Sequence, residues 1–287
     1  MSWLERLRRF KGNPVHGKEF RERFRLRRTV WIMTIYLTVI GAVMLGFMYL
    51  ELMDQSVFVP GEYRDFFIIF SGLQLVMIGF LAPGLSAGAI SGERERQTLS
   101  ILLTTQLSPL SIIGSKLISS LAFIGFLVWM SLPLYSFVFL FGGISPQEVA
   151  TVFLFFVINI FFFGSLGLFC STWMKRTGVS TVTAYAVTFL IVAGTGILIY
   201  FWAHFAAQLD WDLDHMLSFQ LFVSLNPVYA FLTIFEDQLR NETMLKIDPW
   251  LIYACFYTAV SLLLIFGSAY LLNPLRRSRR KNDIIKN

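Results

Sequence analysis

The sequence is poor in the residues that build catalytic and metal centres. Only two of its 287 residues are cysteines and three are histidines, and the histidines are scattered along the chain. Cys170 and Cys255 lie in separate apolar runs without the spacing of a metal or redox motif, so we expect both to be small buried side chains. No G-x-x-x-x-G-K-[ST] phosphate loop occurs, which excludes ATP hydrolysis by a site of that type. We identify no catalytic residue and no metal site.

Long apolar runs make up most of the chain instead. Hydrophobic residues account for 56% of the sequence, against roughly 45–50% in a soluble domain, and the mean hydropathy is +0.64. Six runs reach the length of about 20 residues that a helix needs to cross a membrane. They cover residues 30–50, 66–90, 112–141, 149–173, 178–202 and 250–272. The sequence therefore predicts an all-α integral membrane protein with six transmembrane helices.

Charges are distributed unequally between the two sides of the predicted bundle. If the N-terminus lies in the cytosol, 21 of the 24 Lys and Arg residues are cytosolic and 12 of the 18 acidic residues lie outside. Because cytosolic segments carry an excess of Lys and Arg, we expect a multi-pass protein of the cell membrane with both termini in the cytosol. Topology and attraction to anionic lipid then explain the net charge of +6, without nucleic acid as a partner.

Residues 203–249 form the longest segment between two predicted spans. Its apolar part, LSFQLFVSLNPVYAFLTIFE (217–236), is long enough to cross, but a seventh crossing would place the basic RRSRRK tail outside, and Asn226-Pro227 interrupts the run. We therefore interpret 203–249 as an outer re-entrant loop with two short helices that enter the membrane only partway. Non-helical backbone at that depth needs protein or a water-filled cavity around it.

The first 29 residues form a basic segment with two amphipathic pieces. Apolar side chains share one face of each piece, with Arg and Lys around them, which is typical of helices that lie in the membrane interface. The predicted anchoring residues are Trp3, Leu4, Leu7, Phe10, Phe20 and Phe24. Contact with a cytosolic partner is the alternative. The chain thus divides into an interfacial segment (1–29), a transmembrane domain (30–273) and a basic cytosolic tail (274–287).

The predicted spans contain almost no ionisable residue, with Lys116 at the start of the third span as the exception. Proton-driven carriers usually keep such groups at membrane depth, so the pattern disfavours proton coupling, whereas sodium coupling through carbonyls and hydroxyls stays open. Among the few polar side chains, Gln74 and Asn159 are candidates to line a translocation path. The alternative for both is hydrogen bonding between helices.

The predicted cytosolic loop 91–116 interrupts the apolar sequence with the charged run ERER (93–96). Ser91 is a candidate N-cap, which would place both glutamates in the first turns of a helix, where the helix dipole favours negative charge. Ser108-Pro109 predicts the start of the next helix, with Ser as N-cap and Pro at the first position.

Leucines give the continuation of this loop an apolar face. Leu99, Leu102 and Leu103 recur at i, i+3 and i+4, which predicts a helix continuing through residue 103. Such a helix suits docking into a groove on a cytosolic partner. The alternative is an interfacial helix that only connects two spans.

Three stretches resemble ABC transporter permeases of the type-2 exporter class. ISGERERQTLSILLTTQLSPLSIIGSKL (90–117) is similar to their cytosolic loop, with a Glu/Arg-rich start, a Thr-Leu, a Leu pair, a Ser-Pro and a Lys that opens the third span. NPVHGKEFRERFR (13–25) resembles their N-terminal segment, and LNPVYAF (225–231) their outer-loop region. The resemblance covers essentially the whole chain and rests on the order of these motifs together with the topology. Gln97 and Ser100 depart from the pattern, where Gly and Glu are common.

The resemblance implies a membrane-spanning permease subunit of an ATP-driven exporter. In that class the loop carries a coupling helix, which fits a cleft in a separate cytosolic ATPase and transmits its closure. The coupling residues implied here are Glu93, Arg94, Glu95, Arg96, Thr98, Leu99, Leu102 and Leu103. The implied partners are that ATPase, which would bind ATP and Mg²⁺, membrane lipid, and a second permease chain, identical or paralogous. We expect no cofactor in this chain itself.

Two other functions stay open from the residues alone. A secondary transporter would work without an ATPase, and a membrane scaffold or membrane-embedded enzyme would not transport at all. A neighbouring gene that encodes an ATPase with a phosphate loop would favour the exporter.

Overall fold

The computed structural model describes residues 27–53, 62–100, 108–140, 144–209, 216–236 and 247–272, and every regular element within them is helical. The helices are α1 (Arg27–Met53), α2 (Glu62–Ser86), α3 (Ser91–Glu95), α4 (Pro109–Met130), α5 (Leu132–Leu140), α6 (Pro146–Trp173), α7 (Thr177–Phe189), α8 (Thr195–Gln208), α9 (Leu217–Ser224), α10 (Pro227–Leu232) and α11 (Pro249–Leu272). A π-helical turn, Leu190–Gly194, joins α7 to α8. The predicted anchoring residues of the N-terminal segment and the basic tail lie outside the described residues.

Five helical segments in the described part of the chain are long and apolar enough to cross a membrane. They are Arg64–Glu95, Pro109–Ser136, Pro146–Trp173, Thr177–Gln208 and Pro249–Leu272. They overlap the second to sixth predicted spans, and the first of them continues beyond the predicted span 66–90 through the turn and α3. Helix α1 covers the first predicted span, but its described apolar part, Val30–Gly46, is shorter. The structure thus supports five crossings, and the sixth stays a prediction.

The third predicted span consists of two helices. Helix α4 begins as predicted, with Pro109 at its first position and the Ser108 hydroxyl accepting from the Ser111 N–H at 3.2 Å. It ends before Ser131, and α5 follows with Pro133 at its second position. Proline has no N–H and its ring crowds the carbonyl four residues before it, so the helix cannot continue through this point undisturbed.

Helix α6 lies at the centre of the bundle. It packs against α2, α4, α7 and α11. In the most apolar 18-residue stretch of α6, 67% of the residues are buried by the rest of the chain, against 11% in the corresponding stretch of Thr177–Gln208. Ser145 and Glu148 start it with a capping box, in which each side chain accepts a hydrogen bond from the backbone N–H of the other. Four phenylalanines of α6 are fully buried in the core: Phe155, Phe156, Phe162 and Phe163.

Because lipid is as apolar as these side chains, close packing and hydrogen bonds hold membrane helices together. The backbone of α2 approaches α6 closely at Gly167. A Cβ atom on Gly167 would lie 2.7 Å from the carbonyl oxygen of Pro83 and 3.0 Å from its Cα. These are backbone atoms, which cannot rotate away as a side chain can. Gly167 is therefore required for the spacing between the two helices.

The break between α9 and α10 falls at Asn226. Its Oδ1 accepts from the N–H groups of Val228 and Tyr229, at 2.9 and 3.0 Å. Its Nδ2 donates to the Val192 carbonyl in the π-helical turn and to the Thr195 hydroxyl, at 3.1 and 2.7 Å. This non-helical backbone is thus bonded to protein, which is the condition for such a segment to enter a membrane. The depth of the loop stays a prediction.

The two cysteines differ in their surroundings. Cys170 is buried on α6, as expected, but Cys255 on α11 is exposed. The expectation of burial is wrong for Cys255 because an apolar run at membrane depth turns one face to protein and the other to lipid. Hydropathy is the same for both faces and does not distinguish them.

The contact at Gly167 can be tested against a glycine with free space around it. We expect Gly167→Ala to destabilise the protein by about 1–3 kcal/mol, because the added methyl group overpacks a backbone contact. Nothing lies within 4 Å of a Cβ placed on Gly125 of α4. Gly125→Ala should therefore be neutral or stabilising by up to about 1 kcal/mol. The measurement is thermal unfolding of each purified variant in the same detergent. Equal unfolding temperatures for the two variants would contradict the close approach.

Candidate functional site

The charged run of the predicted loop is bound at one end of the bundle. After α2 the chain turns through residues 87–90, and α3 then lies against the C-terminal end of α6 and the start of α7. The Ser171 hydroxyl of α6 accepts from the N–H groups of Ile90 and Ser91, at 2.8 and 2.9 Å. All three residues are buried, so these bonds are shielded from solvent.

The prediction that Ser91 caps α3 is wrong. Ser91 is the first residue of the helix, its hydroxyl donates to the Ala87 carbonyl at 2.9 Å, and Ile90 before it makes no side-chain cap. The first N–H groups of this turn are bound by Ser171, 80 residues further along the chain. A local capping pattern cannot reveal a partner on a distant helix.

Arg94 closes the C-terminal end of α6. Its Nη1 donates to the Met174 carbonyl at 2.8 Å, and its Nη2 donates to the Thr172 carbonyl at 3.1 Å. The last carbonyls of a helix have no partner within that helix, and the negative end of the helix dipole favours a cation there. The guanidinium group supplies both hydrogen bonds and charge.

Glu95 caps the N-terminal end of α7. Its carboxylate accepts from the N–H of Thr177 at 2.9 Å and from the hydroxyl of the same residue at 2.8 Å. Arg176, at the cap position of α7, provides no side-chain cap. The Thr177 N–H, then its hydroxyl, and then the charge of Arg176 lower the pKa of Glu95. The carboxylate is therefore held in its charged form.

Glu93 pairs with Lys116 of α4, with 3.1 Å between Oε1 and Nζ. The Lys116 side chain is 7% exposed and that of Glu93 is 32% exposed. Burial alone would raise the pKa of Glu93, but the Thr98 hydroxyl, which donates to its carboxylate, and the charge of Lys116 outweigh burial and lower it. The one charged residue of the predicted spans thus has a carboxylate partner in the loop.

The helix predicted through residue 103 is interrupted in its described part. Helix α3 ends at Glu95, and Gln97 has a φ of 59°, in the left-handed region that an L-residue rarely adopts. Beyond this turn Leu99 is 8% exposed and belongs to a cluster of buried side chains of its own chain, with Ile112 and Leu117 of α4. The prediction of one continuous amphipathic helix is therefore wrong. Leu102 and Leu103 lie outside the described residues.

A family model described as ABC-2 family transporter protein matches residues 14–272. The chain belongs to this family. It is therefore a membrane permease of the ABC-2 type, as the resemblance of its motifs implied. No curated protein matches it.

The ABC-2 permease uses most of the implied coupling residues for contacts within itself. Of the four exposed positions after Glu95 in the described part of the loop, Gln97 forms the left-handed turn, Thr98 bonds to Glu93 and Ser100 bonds to the Gln97 carbonyl, which leaves Arg96 with its side chain in solvent. Sequence reasoning missed the residues of α6 and α7, and of the link between them, that form hydrogen bonds with residues 90–95 of the loop. These are Ser171, Thr172, Met174 and Thr177. The change from an apolar run to STWMKRT at 171–177 marks a helix end and a helix start, and was the available signal.

Both candidate path residues of the ABC-2 permease lie in the buried interior. Asn159 accepts from the Tyr253 hydroxyl at 2.7 Å and donates to the Phe155 carbonyl at 2.9 Å. Gln74 donates from Nε2 to the Ser131 hydroxyl oxygen at 3.2 Å. Each side chain thus bonds to another helical segment, which was the alternative interpretation. Their role in a translocation path stays a prediction.

Gln97 occupies a backbone position that favours glycine. An L-residue in the left-handed region costs about 1–2 kcal/mol, and glycine avoids this cost but loses about 0.5–1 kcal/mol of chain entropy on folding. We therefore expect Gln97→Gly to stabilise the protein by up to about 1 kcal/mol, measured by thermal unfolding in detergent. Gln97→Ala is the control, since it removes the side chain but keeps the Cβ, and it should not stabilise. An equal gain from Ala would show that backbone strain is not the cause.

The pair of Glu93 and Lys116 predicts an asymmetric response. Glu93→Gln removes the carboxylate from a buried ammonium group, and we expect a loss of about 1–3 kcal/mol. Lys116→Met should cost less, because the partly exposed Glu93 can regain water. The double variant should unfold at a higher temperature than Glu93→Gln alone, as expected for coupled sites. A larger loss from Lys116→Met than from Glu93→Gln would contradict the role of Lys116 as the desolvated partner.

Proposed function

We propose that this ABC-2 permease is the membrane subunit of an ATP-driven exporter and that the loop at residues 93–103 docks on a separate cytosolic ATPase. One observation carries the proposal. Three successive side chains of the loop bind three different helices: Glu93 binds α4, Arg94 binds the end of α6, and Glu95 binds the start of α7. A force applied to this loop therefore acts on three helices at once.

The geometry favours transmission by rigid contacts. Each contact is a charge-assisted hydrogen bond between 2.8 and 3.1 Å, and such bonds are shorter and stronger than neutral ones. The buried bonds to Ser171 fix the loop backbone at the same place. A displacement of the loop by closure of an ATPase would thus move helix ends rather than bend a flexible connector.

The docking surface consists of the side chains that the bundle does not bury. Arg96 and Ser100 are exposed on the loop, whereas Leu99 packs inside the chain. We assign the apolar contact with the ATPase to Leu102 and Leu103, which lie outside the described residues, and the orientation of the complex to Arg96. Charges at the rim of an interface set its register and association rate more than its affinity.

The same proposal includes the arrangement in the membrane. The protein lies in the plasma membrane, and helix α1 supplies the sixth crossing. Both termini lie in the cytosol, and the N-terminal segment lies on the lipid surface. A second permease chain, identical or paralogous, completes the transporter. The low burial of the span Thr177–Gln208 within the chain supports an exposed surface that lipid and the second permease can share.

The docking surface can be tested by charge reversal at Arg96. We expect Arg96→Glu to reduce capture of the partner ATPase by about tenfold, because it replaces an attractive rim charge with a repulsive one. Capture is measured by pull-down with tagged permease in detergent, normalised to the amount of permease. Arg96→Lys should retain most capture. Gln147→Glu is a control at the opposite end of α6, where the side chain is also exposed, and it should have no effect.

Reconstitution separates this function from the alternatives. ATPase activity should appear only when the permease and the separate ATPase are combined, and the permease alone should show none. Hydrolysis that is independent of the permease, together with undiminished capture by Arg96→Glu, would reject the docking role of this loop. Transport by the permease alone, driven by an ion gradient, would establish the secondary transporter instead.

A further inference from the structure

A group of polar side chains lies buried where α1, α2 and the junction of α4 with α5 meet. Its members, which we call the polar cluster, are Tyr36, Ser71, Gln74, Ser131 and Tyr135. Each is at most 3% exposed. Ser71 and Gln74 are one turn apart on α2, and Ser131 and Tyr135 are one turn apart across the helix junction, so both pairs present their polar groups to the same space.

The cluster is only partly satisfied by hydrogen bonds within the protein. Gln74 donates to Ser131 at 3.2 Å, and the Ser131 hydroxyl donates to the Val128 carbonyl at 2.7 Å. The Tyr36 hydroxyl neighbours Ser131 and Gln74, and the Tyr135 hydroxyl neighbours Ser71, but none of these pairs has the geometry of a hydrogen bond. However, four polar atoms of the cluster have no hydrogen-bond partner among the described residues. They are the hydroxyl oxygens of Tyr36, Ser71 and Tyr135 and the Oε1 of Gln74.

This concentration distinguishes the cluster from the rest of the interior. Elsewhere many buried hydroxyls donate to the carbonyl four residues earlier, as Ser120, Ser261 and Ser268 do. In the described part of the chain six buried side-chain atoms lack a partner, and four of them belong to the cluster. Buried polar groups are normally satisfied by protein or by ordered water, so a set of neighbouring exceptions points to a shared ligand.

We propose that the polar cluster is a binding site for ordered water inside the helix bundle. Its unbonded groups offer both donors and acceptors, which is the mixture that a water molecule needs for its two to four hydrogen bonds. Water bridges neighbouring polar groups in this way when they do not bond to one another directly. The Oε1 of Gln74 accepts from the water, and the hydroxyls of Tyr36, Ser71 and Tyr135 donate or accept.

The chemistry of the site favours water over a divalent cation. Its described side chains present hydroxyl and amide groups but no carboxylate, whereas Ca²⁺ and Mg²⁺ prefer sites with carboxylate ligands. Aromatic rings enclose it on the other side, since Tyr135 packs against Phe67, Phe70 and Phe153 with centroid distances of 5.5, 4.7 and 5.2 Å. A neutral ligand with donors and acceptors is compatible with this apolar wall, whereas an unpaired ion is not.

Radiolytic labelling tests the site directly. X-rays generate hydroxyl radicals from bound water, and these label the adjacent side chains even where bulk solvent has no access. The experiment irradiates the full chain in detergent after equilibration in H₂¹⁸O and measures heavy-oxygen incorporation at each tyrosine by mass spectrometry. Tyr253 is the matched control, because it is fully buried and its hydroxyl bonds directly to Asn159. We expect labelling at Tyr36 and Tyr135 to exceed that at Tyr253 at least fivefold.

A conservative variant links the label to the cluster. Ser71→Ala removes one polar group beside Tyr135 and should lower labelling of Tyr135 at least twofold, with Tyr253 still protected as evidence that the bundle is folded. Labelling at Tyr36 and Tyr135 equal to that at Tyr253 in the unmodified protein would overturn the proposal. An unchanged label at Tyr135 in a folded Ser71→Ala protein would also overturn it, because the water would then not be held by this cluster. The result does not depend on the ATPase.

Discussion

The bonds from the backbone of Ile90 and Ser91 to the Ser171 hydroxyl determine where the chain goes after its second helix. They hold the turn against the end of α6, where Arg94 and Glu95 meet the end of α6 and the start of α7. Arg94 and Glu95 reach their partners only from this position. A serine hydroxyl suits the role because it can accept two hydrogen bonds in a space too small for an amide or a carboxylate.

The sequence predicted much of the helical architecture because its signals are local. Long apolar runs identified five supported spans, and Ser108-Pro109 identified the start of α4. The left-handed turn at Gln97 was not predicted, because a helical pattern of leucines continues through it. The departure from glycine at this position, noted from the family resemblance, was nevertheless the one local sign that the backbone is unusual there.

The candidate site was predicted in its residues but not in its contacts. Glu93, Arg94 and Glu95 were implied as contacts with a partner, and each has a partner inside the chain. Pairings across more than 20 residues depend on how the helices pack, and neither periodicity nor composition records that packing. Leu99 shows the same limit, since a leucine on an apolar helical face has equal hydropathy whether its own chain or another covers it.

The position of Arg94 and Glu95 has a consequence for the evolution of such permeases. These two side chains complete the end of α6 and the start of α7, while both helices lie about 80 residues further along the sequence. The charged loop therefore cannot be exchanged between permeases without regard to the helix ends that it contacts. In a chimera, a loop from another permease preserves the two helix termini only if it supplies Arg and Glu at positions 94 and 95, and the side-chain bonds also need the hydroxyls of Ser171 and Thr177. Exchange of partner specificity between relatives should therefore be confined to the exposed side chains beyond Glu95, where substitution leaves the helix ends intact.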